Sequence, residues 1–187
     1  MPVLSNKGNN LPSSPIRKLV EFADQAKANG IHVYHLNIGQ PDIESPEESV
    51  KIIQKSELKL LKYGSSEGSL SFRKSLCTYY AKNKIKVNPE DIIVTIGASE
   101  AISFTLNCIA DPGDEIIIPE PFYANYSGFT VASDIRVVSV ISLFEDQFCL
   151  PPIKTIEAKI TSKTKGILIC NPSNPTGYLY SKEEIIT

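Results

Sequence analysis

The chain has 187 residues, of which 42% are hydrophobic and 21% charged, with a formal net charge of -2 and a sequence pI near 5.8. A chain of this size buries a full core without needing disulfides or a metal, and lysines scattered along it argue against a nucleic-acid surface. No apolar run approaches membrane-spanning length and no secretory leader follows Met1, so the expectation is a cytoplasmic protein with neither membrane nor nucleic acid as partner.

Residues 1–13 are polar and turn-rich and are expected to form an arm. Pro15 suits the first turn of a helix that continues through Ile16, Leu19, Val20, Ala23 and Ala26 and ends at Gly30. His32 to Ile38 alternates like a short strand, which would turn His32 and His35 to opposite faces and keep them from sharing a metal. Ser45-Pro-Glu-Glu48 has the pattern of a capping box with proline at the first helical position, and predicts a helix reaching about Lys62. A second helix is predicted from Leu70 to Asn83. From Asp91 onward apolar strands alternate with amphipathic segments, an α/β pattern. The strands lie near Ile92 to Ile96, Glu115 to Ile118, Ile135 to Val140 and Gly166 to Cys170. The first helix between them runs from Ala98 to Ala110 with Ala101, Ile102, Leu106 and Ile109 inward, and Pro112-Gly113 turns the chain into the next strand. Two more helical pieces surround Tyr123 to Val131 and Ile153 to Thr161. Cys77, Cys108, Cys149 and Cys170 share no metal-ligand spacing with the histidines and are expected to be reduced, buried thiols.

Three local patterns carry most of the chemistry. Gly166-Ile-Leu-Ile-Cys170 is apolar throughout, as expected of a central strand in a parallel sheet, and ligands bind beyond the carboxyl ends of such strands. The loop that follows, Asn171-Pro-Ser-Asn-Pro-Thr-Gly177, contains two Asn-Pro steps. Each restricts the backbone before the proline to extended conformations and removes an amide donor, so two short amide side chains are held at set angles. Gly97-Ala-Ser-Glu100 lies between a strand and a helix, where free amides and the helix dipole suit either a capped helix or an anion. Ser181 and Glu184 form a second capping box ahead of Ile185-Ile186, so the chain stops inside the first turn of a helix, and a fragment or truncated product is expected.

These segments together resemble the class I/II aminotransferases, enzymes of the fold-type I pyridoxal-phosphate-dependent group. The resemblance runs from about Ser14 to Thr187 through Asn37-Ile-Gly-Gln-Pro-Asp42, Tyr63-Gly64, Gly97-Ala-Ser-Glu-Ala101, Asp111-Pro-Gly-Asp114, Pro119-Glu-Pro-Phe-Tyr123 and the Asn171–Gly177 loop, with aspartate-type enzymes the nearest in kind. It implies an α/β fold with a mostly parallel sheet flanked by helices. Residues 1–45 would form the arm, a helix and the start of a small domain, and residues 46–187 the first part of the large cofactor-binding domain. Family members are about twice this length.

The resemblance implies pyridoxal 5'-phosphate as cofactor, amino acids and 2-oxo acids as substrates, and a homodimer with shared active sites. Ala98 and Ser99 would hold the cofactor phosphate, Tyr63 would reach the phosphate of the neighbouring subunit's cofactor, and Tyr123 would stack on the ring. Asn174 would hydrogen-bond the oxygen at the cofactor's 3-position, and the backbone at Gly39 would meet the substrate carboxylate. Read from the residues alone, Tyr63 is an ordinary half-buried turn tyrosine, Phe122, Tyr123 and Tyr126 are core aromatics, and Gly39 is a turn glycine before Pro41. The family's Schiff-base lysine, its Asp at the pyridine nitrogen and its carboxylate-binding Arg lie beyond the loop, so no catalytic residue is assigned here. Lys163 and Lys165 are expected in a polar turn and Lys182 in the first turn of a capped helix. A carbon-sulfur lyase or synthase on the same fold, or a non-catalytic truncated product, are the alternatives.

Overall fold

The strongest apolar run in the chain, Ile116-Ile-Ile118, lies in the middle strand of a three-stranded parallel sheet in the computed structural model, which describes residues 2–12, 14, 17–56, 59–60 and 62–186. The chain forms two compact units, one made of Met1–Tyr34 and Ser99–Thr187, the other of His35–Ala98. The sequence-based boundary at 45/46 falls inside the second unit.

The first unit carries the sheet. Strand β1 (Glu115–Glu120) pairs in parallel with β2 (Arg136–Ile141) on one side and β3 (Thr164–Ile167) on the other. Helix α5 (Gly97–Ile109) leads into β1 through the Pro112-Gly113 turn, with Gly113 at φ 90°, and α6 (Asn125–Ala132) connects β1 to β2. Both faces of β1 are covered, which is why it reads as an unbroken apolar run. Ile116 and Ile118 pack with Leu106, Tyr126 and Ile135, whereas Ile117 packs with Val140 and Ile156 on the other face. Ile156 belongs to the short helix α7 (Ile153–Glu157). The arm contains a one-turn helix, α1 (Asn6–Asn10), which Ser5 caps by accepting from Gly8 N at 3.0 Å. Lys7 ties it to the end of α6 through Asp134 at 2.5 Å and the Ala132 carbonyl at 3.2 Å. Helix α2 (Val20–Ala28) is followed by Gly30 at φ 77°, a left-handed position suited to a helix stop; Pro15 and Ile16, expected in its first turns, lie outside the described residues.

In the second unit, helix α3 (Glu47–Gln54) is followed by α4 (Leu70–Lys82) and a 3-10 turn at Pro89–Asp91. Arg73 is buried here, with Nε donating to Gly68 O at 3.2 Å and Nη1 to Pro89 O at 2.6 Å.

Several expectations are corrected. The stretches His32 to Ile38 and Ile92 to Ile96 form no strand among the described residues, because alternation or apolarity alone does not make a strand without a neighbour to complete its hydrogen bonds. Helix α3 stops at Gln54 instead of reaching Lys62, and Ser45 makes no cap, since Pro46 holds the capping position without a side-chain bond. Strand β3 is an edge of the described sheet, not its centre, and Lys165 lies in that strand, 3.4 Å from Asp114, instead of in a turn. Ile109 faces the sheet as expected, its Cδ1 4.0 Å from where a Cβ on Gly166 would lie, but it stays 46% exposed. The four cysteines are free, but Cys108 is exposed and the other three are only partly buried.

At the foot of the sheet the Glu115 carboxylate is enclosed, with its side chain 2% exposed. It accepts from Thr161 Oγ1 at 2.8 Å and pairs with Arg136 on β2, so it links all three strands at their amino ends. The Thr161 hydroxyl and then the Arg136 guanidinium hold this carboxyl below its ordinary value of 4.5, against the opposing pull of burial. Such a group takes up its proton at lower pH in the folded chain than in the unfolded one. Its stabilisation is therefore complete above about 4.5 and is lost as pH falls through the folded value. Glu115→Gln is expected to melt a few degrees below wild type at neutral pH and to converge with it in acid. Melting curves that stay parallel down to acid pH would contradict this.

Candidate active site

Tyr123 follows the carboxyl end of β1 and the Asn171–Gly177 loop follows that of β3, while Ser99 lies in the first turn of α5. Helix α5 is seated by Ile102 and Leu106, which pack in the same cluster as Phe122, Tyr123, Tyr126 and Cys170. Its first amides point away from the helix body. Gly97, at φ 77°, donates its amide to Thr95 O at 2.9 Å, and the Thr95 hydroxyl donates to Gly97 O at 3.0 Å. Helix geometry leaves the next amides, those of Ala98 and Ser99, without intrahelical acceptors. A Cβ at Gly97 would meet nothing within 4 Å, so the approach to these amides is open. The dipole of the helix adds about 0.3–1 kcal/mol toward an anion placed there.

Tyr123 is half-buried beyond the end of β1. Asn125 Nδ2 donates to its hydroxyl at 2.6 Å, and its ring meets that of Tyr126 edge to face with centroids 5.4 Å apart. Tyr126 is the buried member of the pair, and burial, followed by the neighbouring Cys170, pushes its hydroxyl up to about 12. The Tyr126 hydroxyl is therefore neutral at physiological pH, and Tyr123 is the aromatic left with a partly open face.

The Asn171–Gly177 loop separates its two asparagines by role. Asn171 Oδ1 accepts from Tyr180 N at 3.0 Å, so its side chain is committed to holding the loop. Ser173 N donates to Tyr178 O and Gly177 N to Ser173 O, both at 2.8 Å, and Gly177 sits at φ 73°. These bonds close the loop as a ring from which residues 174–176 project. The Asn174 side chain is exposed and takes part in none of them. The Asn171-Pro172 and Asn174-Pro175 peptide bonds are both cis, as is Glu120-Pro121.

Gly39, Tyr63 and Ala98 belong to the second unit. Tyr63 is fully exposed, so its alternative reading as a half-buried turn tyrosine is corrected. Gly39 sits in a tight turn, with Gln40 N donating to Ile38 O at 3.0 Å, and a Cβ added at Gly39 would meet nothing within 4 Å. A groove of about 630 Å³ in the first unit runs between the arm and α6 past Leu11, Pro12, Phe122 and Phe129, and neither Ser99, Tyr123 nor Asn174 lines it. Among the described residues no group of histidine, cysteine and acidic side chains is placed to hold a metal ion, and no helix is long and apolar enough to cross a membrane.

One residue near this site was read from sequence only as a helix cap. Glu184 accepts from Leu150 N at 3.0 Å, a bond across 34 residues that no sequence pattern signals. Within the first unit, the Ser99 amide at the start of a long helix, a free carboxamide on a braced loop and a partly open aromatic ring supply donors and a flat face. That set fits a phosphorylated aromatic cofactor.

The parallel sheet with its flanking helices is the fold of the fold-type I aminotransferases, and solved structures of that kind match it. An alanine aminotransferase from Pyrococcus furiosus is 34% identical and superposes with a TM-score of 0.87, covering 98% of this chain and 48% of that one. Among curated proteins, an aspartate aminotransferase of Thermotoga maritima is 32% identical over 177 residues, or 90% of this chain and 46% of that protein. An LL-diaminopimelate aminotransferase of Desulforudis audaxviator is 31% identical over 93% of this chain and 45% of its own length. The family model for aminotransferases of class I and II matches residues 31–187, and the chain belongs to that family, whose members depend on pyridoxal phosphate. It spans about half the length of the curated relatives it matches.

Proposed function

We propose that the whole protein is a cytoplasmic, homodimeric aminotransferase that uses pyridoxal 5'-phosphate to exchange the amino group of an amino acid with a 2-oxo acid, aspartate being the favoured donor. In this reading residues 1–45 are the arm and the start of the small domain, and residues 46–187 the first part of the cofactor-binding domain. The lysine that anchors the cofactor lies in the half of the relatives' length that this chain does not span. The observation that carries the reading, beyond family membership, is the division of labour within the loop: Asn171 is bonded internally while Asn174 is held out and free.

The cofactor, when bound, supplies the electron sink for the chemistry. The chain's own residues bind and orient. The amides of Ala98 and Ser99, with the Ser99 hydroxyl, take the phosphate; Tyr123 presents its ring to the pyridine plane; the Asn174 carboxamide donates to the 3-oxygen; the Gly39 backbone meets the substrate carboxylate. The complete exposure of Tyr63 supports its reaching a phosphate in the partner subunit. The names of the relatives disagree on substrate, covering aspartate, LL-diaminopimelate and alanine, so the preference for aspartate rests on overall similarity.

The test is titration of this chain with pyridoxal phosphate, followed by absorbance, borohydride reduction and mass analysis. Reversible binding without a reducible adduct is expected, and Asn174→Ala is expected to weaken it about 10- to 150-fold, the loss of one hydrogen bond to an ionised group. A reducible adduct on a single lysine of this chain would overturn the placement of the anchor. Equal affinity in Asn174→Ala and wild type would overturn the role of the loop. The substrate is tested by amino transfer from aspartate to 2-oxoglutarate in the protein at the full length of its relatives.

A further inference from the structure

We propose that Glu184 is the positioning residue of the Asn174 loop, a role that rests on the cofactor reading above and goes beyond its place in a capping box. An ordinary capping-box glutamate reaches back to one amide, that of its own N-cap. Glu184 does this, accepting from Ser181 N at 2.7 Å while its own amide donates to Ser181 Oγ at 3.1 Å. Its other oxygen accepts from Leu150 N at 3.0 Å, in the segment between β2 and α7. The Tyr178 hydroxyl lies between the two oxygens, donating at 3.3 and 3.2 Å. Three donors from two stretches of chain, residues 178–181 and the segment at Leu150, converge on one carboxylate.

The first of these stretches closes the loop. Tyr178 receives the Ser173 amide on its carbonyl at 2.8 Å and donates its own amide to Thr176 Oγ1 at 3.2 Å. Its ring lies edge to face with Tyr180, 5.4 Å between centroids, and Tyr180 N is the donor that holds Asn171 Oδ1. Both ends of the ring that projects Asn174 are thus bonded to residues 178 and 180, and Glu184 pins residue 178 to the segment at Leu150. The protonation states suit this. Burial pulls the Glu184 carboxyl upward, but the Ser181 and Leu150 amides more than offset it and hold it below its ordinary value, so it is an acceptor at neutral pH. Burial and the adjacent Glu184 push the Tyr178 hydroxyl up, so it remains a donor.

Glutamine at this position keeps the shape but brings one acceptor oxygen and an amide group where the carboxylate offered two acceptors, so one of the two backbone donors is left unmatched. Hydrogen exchange on Glu184→Gln is expected to show the Ser173 and Gly177 amides exchanging about tenfold faster, with the amides of β1 unchanged. Ser181→Ala, which removes only the reciprocal cap, is expected to leave those two amides near wild type. Unchanged exchange at Ser173 and Gly177 in Glu184→Gln would overturn the proposal. Binding of pyridoxal phosphate separates this from the cofactor reading through a double-mutant cycle. Glu184→Gln is expected to weaken binding about tenfold, and to add little once Asn174→Ala is present, because both act through one contact. Full additivity would show that Glu184 acts elsewhere and would overturn its positioning role. If Asn174→Ala alone leaves binding unchanged, the cofactor role of the loop fails, and the exchange rates still decide whether Glu184 holds it.

Discussion

Ile117→Ala is expected to destabilise the first unit by about 3–4 kcal/mol, in the range for a large-to-small change at a fully buried aliphatic site. Ile117 is 0% exposed and packs against Val140 and Ile156, so removing its outer carbons opens a void between β1 and the elements that cover it. At roughly 2–4 °C per kcal/mol for a chain of this size, the melting temperature should fall by about 6–15 °C. Its position also gives it a functional reach, because β1 runs directly into Pro121, Phe122 and Tyr123. The matched control is Ile93→Ala, at a position 65% exposed, which is expected to change stability by less than about 0.5 kcal/mol. Similar losses from the two substitutions, measured by chemical denaturation, would mean that β1 is not the centre of the core.

Gly68→Ala is the second large effect, expected at roughly 2–4 kcal/mol and confined to the second unit. Gly68 stands at φ 93°, where an L side chain is strained. A Cβ there would also lie 2.6 Å from both Cβ and Cγ2 of Val94. The Val94 Cβ cannot retreat by rotation, so the backbone at 94 must move. That movement strains the bond from Val94 N to Glu67 O, now 3.0 Å, and the Gly68 carbonyl that receives Arg73 Nε. Gly64→Ala is the control, since Gly64 has no positive φ and nothing within 4 Å of a Cβ. Denaturation curves in which the two alanine variants coincide would remove the steric argument. A loss seen only in Gly68→Ala, with slower-exchanging amides of α4 becoming labile, would support it.

Sequence and structure agree or part along one physical line. Features that depend on neighbours in the chain were legible. Ser181 and Glu184 form both halves of their predicted cap, Gly30 and Gly113 stand at left-handed turns, and α4 ends within a residue of its expected limit. The α/β class and the family were also within reach, because a parallel strand buried on both faces must be apolar throughout and a loop with two Asn-Pro steps is rare enough to name its relatives. So was the local setting of two candidate residues, Ser99 at a helix start and Asn174 on the loop after β3.

What the tertiary structure alone decided depends on partners distant in sequence. Ile116-Ile-Ile118 and Gly166 to Cys170 look equally central as strings, yet β1 has a neighbour on each side and β3 has one among the described residues. Ile92 to Ile96 looks like a strand and is none, since a strand is a relation between two segments and apolarity supplies only one of them. Both loop asparagines precede a proline, and only the bond from Tyr180 N shows that Asn171 is spent on the fold while Asn174 takes no part in the bonds that close the loop. Local sequence determines which residues favour a cap, a turn or an apolar face, because those energies act within a few residues; which polar group remains free is decided when the folded chain brings its distant donors and acceptors together.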